Sequence, residues 1–164
     1  MDTTHLHLIS NHVPVFALIF SLLLFVLGDV LKNRTLLNTA MAGFIIAAIA
    51  SVIAFTTGEA AEESIESIAG TEAFIEEHED IAKPANITAI ILGTLAIIAV
   101  IFEMIKNAIP VYLKRIILFV SCIAVVLVSY TAYLGGLIRH TEVRTGTSSY
   151  TIAPESKHSE HYDD

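Results

Sequence analysis

The sequence predicts an all-α integral membrane protein, a four-helix bundle with a short helical acidic loop between helices two and three. Three observations carry this. The chain has 164 residues, of which 54% are apolar and 16% charged, with a mean hydropathy of +0.69, too apolar for an ordinary soluble domain. Its apolar residues gather into four runs, 13–31, 36–57, 85–105 and 116–138, each long enough at about 1.5 Å per residue to cross most of a hydrocarbon core about 30 Å thick. Its charges are bunched: nine of the seventeen acids lie between Glu59 and Asp80, so the net charge of -8 describes one loop.

The first run is preceded by a short polar stretch carrying His5, His7 and His12, and Pro14 falls in its first turn, where the missing N–H costs nothing. It reads as a retained span rather than a cleaved signal: no basic region precedes it, no small-x-small site follows it, and Lys32 and Arg34 come after it. The second run carries Gly43, Ala47 and Ser51 four apart, and the third repeats the row with Ala85, Ala89 and Gly93; such rows let helix backbones approach closely in lipid. Between them, Glu59, Glu62 and Glu66 share a face at helical spacing, so helix two is expected to continue as an acidic turn or two ending near Gly70. Thr71 is placed to cap a separate short helix, 72–81, that turns His78 toward the bundle with Phe74 and Ile75, and Pro84 is placed to start helix three. Asp29 with Lys32 and Glu103 with Lys106 are spaced as local pairs anchoring helix ends at the interface. Cys122, the one cysteine, sits in an apolar run and reads as a small buried hydrophobe. Residues 1–144 are expected to form one transmembrane domain, and 145–164 a polar, disordered tail.

Orientation follows from charge. The two short loops carry Lys32, Arg34, Lys106, Lys114 and Arg115, whereas the central loop opposes its nine acids with Lys83 alone. The positive-inside rule puts the short loops in the cytoplasm, and both termini and all seven histidines on the other face, the periplasm of a bacterial inner membrane.

That face is where a site is expected. His7 and His12 precede helix one, Glu59 and Glu62 end helix two, His78 precedes helix three and His140 follows helix four, which predicts a single layer of imidazoles and carboxylates. Imidazole binds zinc, copper and haem iron, and a carboxylate completes a metal shell or accepts the second N–H of a ligating histidine. No local ligand motif such as H-E-x-x-H is present.

Several of these residues also carry a resemblance. The set His7-x4-His12-Val13-Pro14, Thr57-Gly58-Glu59-Ala60-Ala61-Glu62, His78-Glu79 and Gly135-Gly136 with His140 four residues on is similar to a bacterial family of small four-helix membrane proteins catalogued as a domain of unknown function. The likeness covers nearly all of the chain up to Arg144; Leu8 stands where the family's H-P-x-x-V-H-F-P opening has proline, and Thr141-Glu142-Val143 where glycine and valine often follow the last histidine. Members of that family occur beside or fused to c-type cytochrome domains. The resemblance therefore implies a redox setting, with haem b or a transition metal at the outer face and a c-type cytochrome or other redox subunit as partner.

Two readings follow. In one, His12 and His140, with His78, His7, Glu59 and Glu62 near by, bind haem b or a metal and pass electrons at the periplasmic surface. In the other, the chain is a non-catalytic subunit whose acidic loop docks a soluble partner. The lipid bilayer is a partner in both. Enzymatic chemistry is the least supported, because no nucleophile motif and no glycine-rich phosphate loop is present. Nucleic acid is excluded as a ligand by the lack of a basic patch to neutralise phosphates.

Overall fold

A computed structural model describes residues 10–62 and 72–139 of the chain. They form four helices and, among the described residues, no strand: α1 (His12–Val30), α2 (Arg34–Glu62), α3 (Glu72–Lys106) and α4 (Val111–Arg139). Each is long and apolar enough to cross a membrane. Tight turns at 31–33 and 107–110 make two antiparallel hairpins, with Lys32 and Asn107 in the left-handed region at φ 53°. Every helix packs on the two beside it in the ring, α1 on α2 and α4, α3 on α2 and α4, giving an up-down-up-down bundle.

The inward faces show why these segments pack as they do. Pro14, Leu18, Ser21, Phe25 and Gly28 of α1 are buried, alternating four and three residues apart, and so are Leu37, Ala40, Phe44, Ala47 and Ser51 of α2. An alternation averaging 3.5 residues keeps one seam facing its neighbour along a left-handed bundle. The outward faces carry Phe16, Phe20, Ile46, Ile49, Ile98 and Phe119, all exposed, as lipid-facing positions demand. Small residues bring the hairpins together: a Cβ built on Gly93 of α3 would stand 2.5 Å from the Ala48 Cβ of α2. One rung further along, the Ser51 hydroxyl donates to the Asn86 Oδ1 at 3.0 Å, a polar tie between α2 and α3.

The acidic segment departs from expectation. Glu72–Lys106 is a single helix of 35 residues with Pro84 inside it, not a short helix followed by a proline-started span. Its seam runs without a phase break through Ile75, His78, Ala82, Ala85, Ala89, Leu92, Ala96 and Ala99, each buried or half-buried, while Pro84 faces outward. Proline costs one backbone hydrogen bond and crowds the preceding turn, about 3 kcal/mol, whereas a break would forfeit the docking of Ile75 and the turns around it. The seam wins. The expected cap at Thr71 and the continuation of α2 toward Gly70 lie outside the described residues.

The helices are level at their turns but unequal in length. At about 1.5 Å per residue, the 19 residues of α1 reach about 28 Å and the 35 of α3 about 52 Å. Since α2 and α4 have 29 residues each, three helices project beyond the start of α1. On α4, Tyr112 at one end and Tyr130 with Tyr133 at the other lie on the exposed surface, the second pair stacked at 6.2 Å. Tyr112 and Tyr130 stand about 27 Å apart along the axis, the spacing of the two aromatic belts of a bilayer. Cys122 lies between the belts and is exposed, not buried: the neighbouring Ser121 and Ala124 take the inward positions.

Candidate functional site at the acidic end

His78 stands at a core position of the α3 seam, third residue on from buried Ile75. Its ring rests on α4, where a Cβ built on Gly135 would be 3.2 Å from its Cε1 and 3.6 Å from its Nδ1. Any larger residue at 135 would displace it. The Nδ1 is sealed from solvent. Five residues back along α4, the Tyr130 hydroxyl donates to the Glu77 Oε1 at 3.1 Å, a second tie between α3 and α4. Sequence reasoning missed this tie, although a tyrosine at a membrane boundary is the residue type expected to reach for a headgroup-level carboxylate. Glu76 and Asp80 point outward, and Glu79 pairs with Lys83 at 3.6 Å.

The Ser51–Asn86 bond sets the heights of the other candidates. Glu59 lies eight residues past Ser51 and His78 eight before Asn86, so on antiparallel neighbours the two are level. His12 is lower. It begins α1 nine residues before Ser21, which packs against Gly43 of α2, and this puts it near the Ser51–Asn86 level, about 12 Å along the axis from His78. The single layer expected from the sequence is therefore split: Glu59 and His78 share one level, with Glu62 one turn beyond, and the exposed His12 stands nearer the bundle centre because α1 is the short helix. His7 and His140, and so the expected approach of His12 to His140, lie outside the described residues, as does the tail 145–164.

Among the described residues, no three His, Cys, Asp or Glu side chains converge to hold a metal. They offer one inward imidazole on a glycine cradle, with a glutamate position level with it on the next helix. In kind, this donor suits one ligand of a haem iron or a transition metal; with His12 at another level, the others must come from the segments bearing His7 and His140.

At the opposite, basic end the local pairs expected from spacing are replaced by pairs between hairpins. Arg34 of α2 binds Glu103 of α3, its Nε donating at 2.6 Å, and also reaches the Asn107 Oδ1 at 3.3 Å. Lys114 of α4 binds Asp29 of α1. Lys32 and Lys106 lie on the rim, where long side chains keep their hydration, while the two carboxylates are turned inward and meet the cations of the next helix instead.

Comparison finds no match. No family model, no curated protein and no solved structure aligns with the chain.

Proposed function

We propose that this chain is a redox subunit of a bacterial inner membrane, holding haem b or a transition-metal ion at its periplasmic end through His78, with His7 and His140 supplying further imidazoles and Glu59 and Glu62 the carboxylates; His12, exposed and about 12 Å away along the axis, is left out of the set. The observation that supports it is His78 at a core position of α3, against the Gly135 cradle. An apolar side chain would fill that position without the cost of desolvating an imidazole, so a histidine there asks for a use. Glu59, level with it, suits the acceptor that orients a ligating imidazole or completes a metal shell. A bound haem or metal would supply a one-electron carrier close to the aqueous face. The core between the belts is built from Ala, Leu, Phe, Ile, Val, Met and Ser and, among the described residues, holds no histidine, so electrons enter and leave from the acidic side rather than crossing the bilayer. Glu76, Glu77 and Asp80 are exposed beside the site, a docking surface for a cationic soluble partner such as a c-type cytochrome.

The same exposed acids favour a second reading, in which the chain is a non-catalytic membrane subunit and the acidic surface is its whole contribution. Absorption of the detergent-purified protein separates them. A Soret band, or a stoichiometric transition metal by elemental analysis, supports the redox reading; a colourless, metal-free protein that still captures its partner leaves the subunit reading.

A further inference from the structure

The basic end contains a cleft of about 210 Å³ between the two turns, rimmed by Lys32, Arg34 and Lys114 and floored by Leu37 and Ile109. Three cations, Lys32, Arg34 and Lys114, line it against two carboxylates, Asp29 and Glu103, while Lys106 and Arg115 lie outside it at the same end of the bundle. Both carboxylates are engaged, by Lys114 and Arg34. Lys32 is left on the rim, presented by a left-handed turn. Its depth is informative: the turns follow directly on helix ends and lie beside Tyr112, at the level where lipid phosphates are the densest anions.

We propose that this cleft binds the phosphate of an anionic phospholipid headgroup, with the Lys32 ammonium as the principal contact and the Asn107 amide and the outer edge of the Arg34 guanidinium beside it. An ammonium serves a phosphate as a point charge, and the guanidinium, fixed by Glu103, keeps further N–H groups directed outward. Seating the headgroup across both turns ties the two hairpins together. The inference is independent of any cofactor at the other end and of which leaflet the basic end occupies.

The test is thermal unfolding of the full chain in neutral detergent with added phosphatidylglycerol, phosphatidylcholine or inorganic phosphate. Phosphatidylglycerol raises the Tm more than phosphatidylcholine, Lys32→Gln loses most of that rise, and Lys106→Gln, on the same rim but outside the cleft, keeps it. If Lys32→Gln does not fold, Asn107→Ala replaces it with the same expectation. Equal losses in Lys32→Gln and Lys106→Gln would reduce the effect to diffuse surface attraction and overturn the cleft site. A rise reproduced by inorganic phosphate alone would overturn the lipid as source, and no preference for phosphatidylglycerol would overturn the proposal outright.

Discussion

Glu103, in the last turn of α3, accepts the Nε–H of Arg34, the first residue of α2, at 2.6 Å. Each charge sits at the wrong end of its own helix: a carboxylate faces the negative C-terminal pole and a guanidinium the positive N-terminal one. The same holds for Asp29, near the end of α1, and Lys114, in the first turn of α4. The arrangement is favourable only because antiparallel neighbours bring opposite poles together, so both pairs reward correct docking of one hairpin on the other.

Breaking one of these pairs has a predictable cost. Glu103→Gln leaves Arg34 without its carboxylate and is expected to lower stability by about 1–2 kcal/mol, nearer a surface pair than a buried one because Arg34 is 58% exposed. The exchanged variant, Arg34→Glu with Glu103→Arg, restores the pair and suits each helix pole, so it should match or exceed the parent in reversible unfolding in mixed micelles. A double variant weaker than Glu103→Gln alone would show that the pole argument is wrong.

Close approach of α2 and α3 is tested at Gly93. A methyl there meets the Ala48 Cβ, which cannot rotate away, so Gly93→Ala must part the helices and should cost about 1–3 kcal/mol. At Gly43 the obstacle is the Ser21 side chain, whose hydroxyl can turn aside. Gly43→Ala should therefore cost less than Gly93→Ala in the same unfolding assay.

The Ser51–Asn86 bond joins the same two helices. Ser51→Ala is expected to destabilise by about 0.6 kcal/mol and by no more than about 1.7, the average and the maximum for interhelical hydrogen bonds in membranes, with Ser51→Thr costing less if the hydroxyl still reaches Asn86.

At the acidic end, His78→Leu keeps the seam apolar and should fold at least as stably as the parent while losing haem or metal per mole of protein. Gly135→Val pushes the ring off α4 and should lose cofactor in parallel. If His78→Leu retains the full complement, or if the parent carries none, His78 is a packing residue and the subunit reading stands alone.

Orientation is checked with single cysteines in a Cys122→Ser background. Glu76→Cys, on the exposed face of α3, should react with a membrane-impermeant maleimide in intact cells, and Ala108→Cys, exposed in the turn at the basic end, should react only after lysis. The reverse pattern would place the histidines in the cytoplasm.

The fold class was legible because it rests on quantities that add along the chain. Four apolar runs, the punctuation at Lys32-Asn33-Arg34 and Asn107 to Pro110, and the rows through Gly43 and Gly93 each report a local property, and a bilayer admits few alternatives to a helix for such runs. The inward turn of His78 was legible for the same reason, through its spacing from Ile75.

What the sequence alone determined about this protein is thus its membrane character, its four helices and the grouping of its charges. Tertiary structure decided the rest wherever the deciding energy lay between helices. Pro84 is a local stop signal, overridden because the seam from Ile75 to Ala99 gains more by staying whole. Asp29 and Glu103 have lysines three residues away, yet bind Lys114 and Arg34 across the ring. Cys122 faces outward because the buried seam Leu113, Ile117, Ser121, Ala124 and Val128 sets the phase of α4 and leaves position 122 off it. His12 and His78 stand at different heights because α1 is shorter than its neighbours and starts lower, and the packing of Ser21 on Gly43 and the bond between Ser51 and Asn86 set those heights. Spacing along one helix tells which residues can share a face; it carries no information on how far a neighbouring helix is slid along its axis, and that slide is set by small residues, ion pairs and hydrogen bonds from a different part of the chain.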